Sequence, residues 1–136
     1  MTIATLDIPI TFGDCDPAGI VFYPNAFRWM DATFHHLLRP YGGHTSICDA
    51  LQGVGLGLVD ASAGFRSPMR DGDLLLIDAK ITTWSRRSLT LTYTGRVDGA
   101  VSFMGQEVRC LFQRTETGMV AGDLEGLKQM LEQERV

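Results

Sequence analysis

Apolar and polar positions change period several times along this chain. Leu6, Ile8, Ile10 and Phe12 alternate with other residues, the two-residue period of a strand. Gly13-Asp14-Cys15-Asp16-Pro17-Ala18-Gly19 then interrupts the pattern with turn-forming residues. From Pro24 the spacing becomes helical, with Phe27, Met30, Phe34, Leu37 and Leu38 recurring at three to four residues. Proline suits a first helical turn, where its missing N–H would have no partner anyway. Pro40 and Gly42-Gly43 stop the helix, and a short second helix is expected from Thr45 to Leu51. From Leu56 the period returns towards two, which predicts strands at 56–66, 74–84, 87–98 and 100–114. Ser88, Thr90, Thr92 and Thr94 alternate with Leu89, Leu91 and Tyr93, so the third of these strands has one wet and one dry face. Asp98-Gly99 is a two-residue hairpin signal. Asp123 is placed to cap a last helix in which Leu124, Leu127, Met130 and Leu131 share a face.

This order predicts an α+β fold. The long helix carries an apolar stripe that needs a surface to cover it, and a curved antiparallel sheet of about five strands supplies one. The chain shows no repeat, low-complexity tract or linker, so its 136 residues are expected to form a single domain over 1–136.

Composition narrows the function classes. With 45% hydrophobic residues the chain can build an ordinary core, and a domain of this size buries roughly two thirds of its unfolded surface. The formal net charge of -4 argues against a nucleic-acid partner. Cys15, Cys48 and Cys110 are odd in number and widely spaced, which disfavours a disulfide framework or a paired-cysteine metal site and suits a reducing compartment. The first residues, Met1 to Asp7, lack the basic and apolar regions of a signal peptide. No apolar run approaches the roughly 20 residues needed to span a bilayer. A cytoplasmic location is therefore expected.

Asp16 sits in a turn just ahead of a predicted helix start. Backbone N–H groups there lack internal partners and carry the positive end of the helix dipole. A carboxylate beside such an anion-stabilising amide is a sufficient minimal set for acyl transfer, and the amide of Tyr23 is the candidate donor. From spacing alone the competing reading stands: an aspartate before a helix is more often only a cap. Arg86 and Arg87 by themselves read as a solvated strand edge, although guanidinium groups also suit phosphate oxygens. Cys15 has no assigned partner to lower its pKa and reads as a small hydrophobe rather than a nucleophile. His35, His36 and His44 form no recognised metal motif. Asp31 and His35 share a helix face four residues apart and predict a polar contact.

The string FGDCDPAGIVFYPN, continued by Arg28-Trp29-Met30-Asp31-Ala32, resembles the 4-hydroxybenzoyl-CoA thioesterase family of hot-dog proteins. Weaker similarity continues through Phe65, Asp73, the segment Trp84 to Ser88, and Glu107-Val108-Arg109. The resemblance implies a hot-dog fold and hydrolysis of an acyl-CoA thioester. It implies that Asp16 is the catalytic carboxylate and that the Tyr23 amide polarises the thioester carbonyl. Asp31 would line the acyl pocket, and Arg86, Arg87 and Ser88 would hold the CoA phosphates. It also implies pockets at a dimer interface, often within a dimer of dimers. Pro24 follows the motif tyrosine where the Tol–Pal-associated branch has histidine, which favours the hydroxybenzoyl branch. The acyl group is expected to be aromatic or otherwise compact. No cofactor is expected, CoA being part of the substrate, and neither is a nucleic-acid or membrane partner. The competing expectations are a short-chain aliphatic thioesterase, a non-hydrolytic acyl-CoA or acyl-carrier binding module and, last, a hot-dog dehydratase.

Overall fold

The computed structural model describes residues 3–133; the ends of the domain expected over 1–136, residues 1–2 and 134–136, lie outside the described residues. Strand β1 (Ile3–Pro9) leads through a 3-10 turn (Phe12–Asp14) to helix α1 (Pro24–Leu38), and a further 3-10 turn (Arg39–Tyr41) precedes helix α2 (His44–Ala50). Strands β2 (Gly55–Phe65), β3 (Leu74–Trp84), β4 (Leu89–Val97), β5 (Ala100–Thr115) and β6 (Gly118–Ala121) follow, and then helix α3 (Glu125–Glu132). The strands form one antiparallel sheet in the order β1-β3-β4-β5-β2, with β6 pairing the far end of β5.

One expectation needs correction. Phe12 does not continue the first strand. The backbone N–H and the hydroxyl of Thr11 both donate to Oδ2 of Asp14, which turns the chain and leaves Phe12 75% exposed. The sheet of about five strands is present as the path β1-β3-β4-β5-β2, and β6 adds a short sixth strand off that path; it is only four residues long, too short to show a period. The remaining elements fall within a few residues of their predicted bounds. Asp98 and Gly99 both take positive φ, as a two-residue hairpin between β4 and β5 demands.

Helix α1 buries Ala26, Trp29, Met30, Thr33, Phe34, Leu37 and Leu38, a stripe at helical spacing, while Phe27 lies at its margin and is half-buried. Each large apolar side chain in that stripe contributes about 1.5–3 kcal/mol by leaving water. The helix packs against β1, β2 and β3. It also lies close to β5 because residue 105 is glycine: a Cβ there would come within 2.6 Å of the Met30 sulfur. The opposing layer is the dry face of the sheet, including Leu75, Ile77, Leu89, Leu91, Tyr93 and Phe103. Among the described residues, no helix is long and apolar enough to cross a membrane.

Candidate active site

The segment between β1 and α1 folds into a tight loop whose base is a two-residue antiparallel bridge between Cys15 and Val21. The Asp16 N–H donates to the Ile20 carbonyl at 2.9 Å, and the Gly19 N–H donates to the Asp16 carbonyl at the same distance. Gly19 closes the loop at φ +81°, a conformation costly for other residues. The Asp16 carboxylate is half-buried, and its Oδ1 accepts the Ala18 N–H at 2.9 Å. One oxygen is therefore pinned to the loop, while Oδ2 has no hydrogen-bond donor among the described residues.

Asp14 fastens this loop to the helix. Its carbonyl accepts both the Phe22 N–H and the Asn25 side-chain amide, and its carboxylate meets Arg28 at 3.4 Å. The amides around the helix start are mostly spoken for. Those of Val21, Phe22, Asn25 and Ala26 donate to the carbonyls of Met69, Asp14, Phe22 and Tyr23 respectively, and Pro24 has no N–H. The expectation of several open amides at this end is thus corrected to one. Among the described residues the N–H of Tyr23 has no acceptor, and it sits at the N-cap, where the helix dipole is positive.

A cleft of about 460 Å³ opens beside the loop, with Ile20, Val21 and Tyr23 contributed from one side and Phe65, Arg66 and Ser67 from the other. Its size suits an acyl group with part of its carrier. Asp16 is not on the lining of this cleft; it is hydrogen-bonded through its backbone to Ile20, which is. Cys15 is half-buried against the core, with its thiol 3.7 Å from the Thr11 carbonyl.

Arg86, Arg87 and Ser88 lie in the β3–β4 turn rather than inside a strand, because the Ser85 N–H donates to the Ser88 carbonyl and β4 begins only at Leu89. Both arginines are exposed. Arg86 is not free: its Nε donates to Oδ2 of Asp123 at 3.2 Å. Oδ1 of Asp123 accepts the Glu125 N–H at the start of α3; the N-cap position itself is held by Leu124, so Asp123 acts from one residue ahead of the predicted cap. The Glu125 N–H, and next the Arg86 hydrogen bond, hold the Asp123 carboxyl below its usual range. A polar hollow of about 300 Å³ lies between this turn and α3, with Lys128 also at its edge. No hydrogen bond or ion pair among the described residues links the Arg86–Ser88 turn to the Asp16 loop.

Asp31 belongs to a cluster that sequence reasoning did not assemble. Its Oδ1 accepts Nη2 of Arg109 at 2.9 Å and lies 3.5 Å from Nε2 of His35, the predicted polar contact. The Arg109 side chain is 3% exposed. Its Nε donates to Oε1 of Glu107 at 3.0 Å, its Nη1 donates to the Leu56 carbonyl at 3.0 Å, and its guanidinium stacks 4.1 Å above the Phe34 ring. Tyr93 donates its hydroxyl to the same Glu107 oxygen; burial first, and then the Glu107 charge, push the Tyr93 hydroxyl pKa far up. His44 accepts the Leu56 N–H at Nε2, and burial together with the neighbouring His35 and Arg109 lowers its pKa. A legible signal existed. Residues 103, 105, 107, 109 and 111 share one face of β5, and Phe103 and Leu111 mark it as the dry one, so Glu107 and Arg109 are charges placed inward. Among the described residues, no three His, Cys, Asp or Glu side chains gather into a metal-binding group.

The description of the thioesterase superfamily matches residues 18–102, a span that contains Tyr23, Asp31 and Arg86 to Ser88 and begins just after Asp16. The chain is 36% identical over 88 residues to the 4-hydroxybenzoyl-CoA thioesterase of Pseudomonas sp. strain CBS-3, covering 62% of this chain and 61% of that relative, so it spans about three fifths of the length of that protein. The solved structure of the 4-hydroxybenzoyl-CoA thioesterase from the same strain superposes with a TM-score of 0.85 at 27% identity, covering 96% of this chain and 99% of that one. A gentisyl-coenzyme A thioesterase structure superposes with a TM-score of 0.78 at 29% identity, covering 92% and 98%. The curved antiparallel sheet with its long helix is the hot-dog fold of these structures, and with more than half of its length matched the chain belongs to the thioesterase superfamily.

Proposed function

We propose that this protein hydrolyses an acyl-CoA thioester to the free acid and CoA, with an aromatic, 4-hydroxybenzoyl-like or otherwise compact acyl group. The observation that carries the reading is the pairing of a half-buried carboxylate with a single open amide on one loop at a helix start. Asp16 keeps one oxygen without a partner among the described residues, and the Tyr23 N–H is the amide left over. The thioester carbonyl would accept that N–H, and the helix dipole would favour the oxyanion that develops. Along one route an Asp16 oxygen bonds to the acyl carbon and the C–S bond breaks, giving a mixed anhydride and CoA thiolate, after which water cleaves the anhydride. Along the other, Asp16 takes a proton from the water that attacks. Thiolate leaves readily, so neither route calls for a metal or a redox cofactor.

Arg87 and Ser88, with Arg86 once it exchanges Asp123 for a phosphate, would hold the CoA phosphates. Asp31 would meet the acyl group. The reading includes a homodimer, in which a second copy completes the cleft. Strand β2 ends the sheet path with its outer edge open, it exposes Leu58, Val59 and Phe65, and Phe65 also lines the cleft. Long apolar edges of this kind are normally covered. Three unpaired cysteines fit action in the reducing cytoplasm.

The test is Asp16→Asn, assayed by thiol release from a panel of aromatic and short aliphatic acyl-CoAs. The expected loss in turnover is at least about a hundredfold, the scale of a removed acid–base or nucleophilic group. A variant with near wild-type turnover on the best substrate would overturn the role. Oxygen-18 from solvent appearing in Asp16 after a single turnover marks the nucleophilic route. One observation favours a second reading, a non-hydrolytic acyl-CoA binder: Asp16 is absent from the lining of the cleft. Tight CoA binding without thiol release would support that reading instead.

A further inference from the structure

We infer that Asn25 is a positioning residue for the reaction: its side-chain amide fixes the Asp16 carboxylate relative to the Tyr23 N–H and keeps that N–H open. This deepens the proposed thioester hydrolysis and rests on its assignment of Asp16 and Tyr23.

An asparagine at a helix start ordinarily caps it, its side-chain oxygen accepting a backbone N–H of the first turn. Asn25 does something else. It is the second residue of α1, inside the helix rather than ahead of it. It works through its donor: Nδ2 donates to the Asp14 carbonyl at 2.8 Å, across 11 residues of chain. Its Oδ1 accepts Nε of Arg28 at 3.4 Å, which sets the amide with its nitrogen towards Asp14.

Asp14 is itself held in place. Its Oδ2 accepts the backbone N–H and the hydroxyl of Thr11, and its Oδ1 meets Arg28. The Asn25 bond therefore ties the first turn of α1 to a point braced from the end of β1. Asp16 lies two residues inside one end of the tied segment, and Tyr23 lies two residues inside the other. Any slack in the tie changes the distance between the carboxylate and the amide.

The same bond explains why the Tyr23 N–H is left over. The Asp14 carbonyl also accepts the Phe22 N–H at 2.9 Å. A carbonyl oxygen has two lone pairs, and here both are taken. The Tyr23 N–H, one residue further on, finds no room there. Without the Asn25 amide one lone pair is vacated, and the donor that would face the oxyanion can turn to it.

The experiment compares Asn25→Ala with wild type in thiol release from 4-hydroxybenzoyl-CoA, in the wild-type and the Asp16→Asn backgrounds. A misplaced reacting group costs up to about a hundredfold, and a loss felt only in the transition state falls on kcat. In the wild-type background kcat is expected to fall at least about tenfold with KM within about threefold. In the Asp16→Asn background the same substitution is expected to cost no more than about threefold, since a positioning residue loses its effect with the group it positions. A merely structural role would cost the same in both backgrounds, and that result overturns the inference. So does a loss confined to KM, or an unchanged kcat. Should Asn25→Ala melt below the assay temperature, Asn25→Ser suits a first helical turn, is too short to reach the Asp14 carbonyl, and carries the same expectation. Full turnover in Asp16→Asn alone would remove the underlying assignment and this inference with it. A collapse in Asp16→Asn with an unaffected Asn25→Ala removes the inference alone.

Discussion

Tyr93 of β4 and Glu107 of β5 meet inside the layer between sheet and helix, where neither exposes more than 1% of its surface, and the phenolic hydroxyl donates to Oε1 of the carboxylate. That oxygen also accepts Nε of Arg109. The three side chains form a polar spine through an otherwise apolar core, with every buried polar side-chain atom of the described residues satisfied. Such a spine is stable only while it is complete.

Tyr93→Phe removes one donor and nothing of the ring. The expected cost is about 1–3 kcal/mol, the range for a buried acceptor deprived of its partner, read from urea denaturation. Glu107→Ala is expected to be worse, about 3–5 kcal/mol, because it strands the buried Arg109 charge with only Asp31 to answer it. Equal costs for the two variants would show that the spine is not coupled in this way.

His44 makes folding sensitive to mild acid. Its Nε2 accepts the Leu56 N–H, and burial first, then the His35 and Arg109 charges, lower its pKa from the ordinary 6.5. In the unfolded chain the ring takes a proton near that value while the folded ring resists. The contribution is therefore fully present above about pH 6.5 and is lost as pH falls through 6.5 towards the lower folded value. Urea titrations of wild type and His44→Gln between pH 8 and 5 should show the advantage of the histidine shrinking on the acid side. A constant difference would exclude the linkage.

The Arg86–Asp123 pair makes a prediction about substrate capture. Arg86→Ala and Arg87→Ala should each raise KM for acyl-CoA and flatten its salt dependence, with kcat little changed, because phosphate contacts lie far from the reacting bond. Asp123→Asn keeps a capping oxygen for Glu125 and releases Arg86. It should lower KM by no more than a few fold, since exposed ion pairs are worth little. Steady-state kinetics at two salt concentrations separate these outcomes. A fall in kcat alone would place the CoA phosphates elsewhere.

The open edge of β2 predicts the assembly. Val59→Lys places a charge on that edge next to a register shift between Leu58 and Asp60. The variant should sediment as a monomer where wild type sediments as a dimer, and its thioester turnover should fall with the dimer. A monomeric variant with full activity would show that the cleft needs no second copy.

The elements of the fold were legible because they are local. Met30, Phe34 and Leu37 repeat at the helical period, Leu89, Leu91 and Tyr93 at the strand period, and Asp98-Gly99 closes its hairpin by backbone geometry alone. The four residues of β6 lie below the length at which a period can be recognised. The turn around Asp16 and the helix start at Tyr23 were legible for the same reason as the helix, since they lie within eight residues of each other and turn residues mark them; the catalytic reading of the two came from the family resemblance, not from spacing.

Long-range pairs depended on the tertiary structure. Arg109 reaches Asp31 across 78 residues, and Arg86 reaches Asp123 across 37. Local spacing places Glu107 and Arg109 on one face of β5, but it does not say which helix carboxylate will stand opposite. That choice follows from strand order, from the register of β5 against β2 and β4, and from the close seat that Gly105 leaves for α1. The sequence by itself determined the periods, the turns and the tight loop around Asp16, because backbone sterics and neighbouring side chains act over a few residues. Only the folded sheet decided which buried charges meet, because burial removes the water that would otherwise satisfy each of them and leaves the facing element as the sole partner.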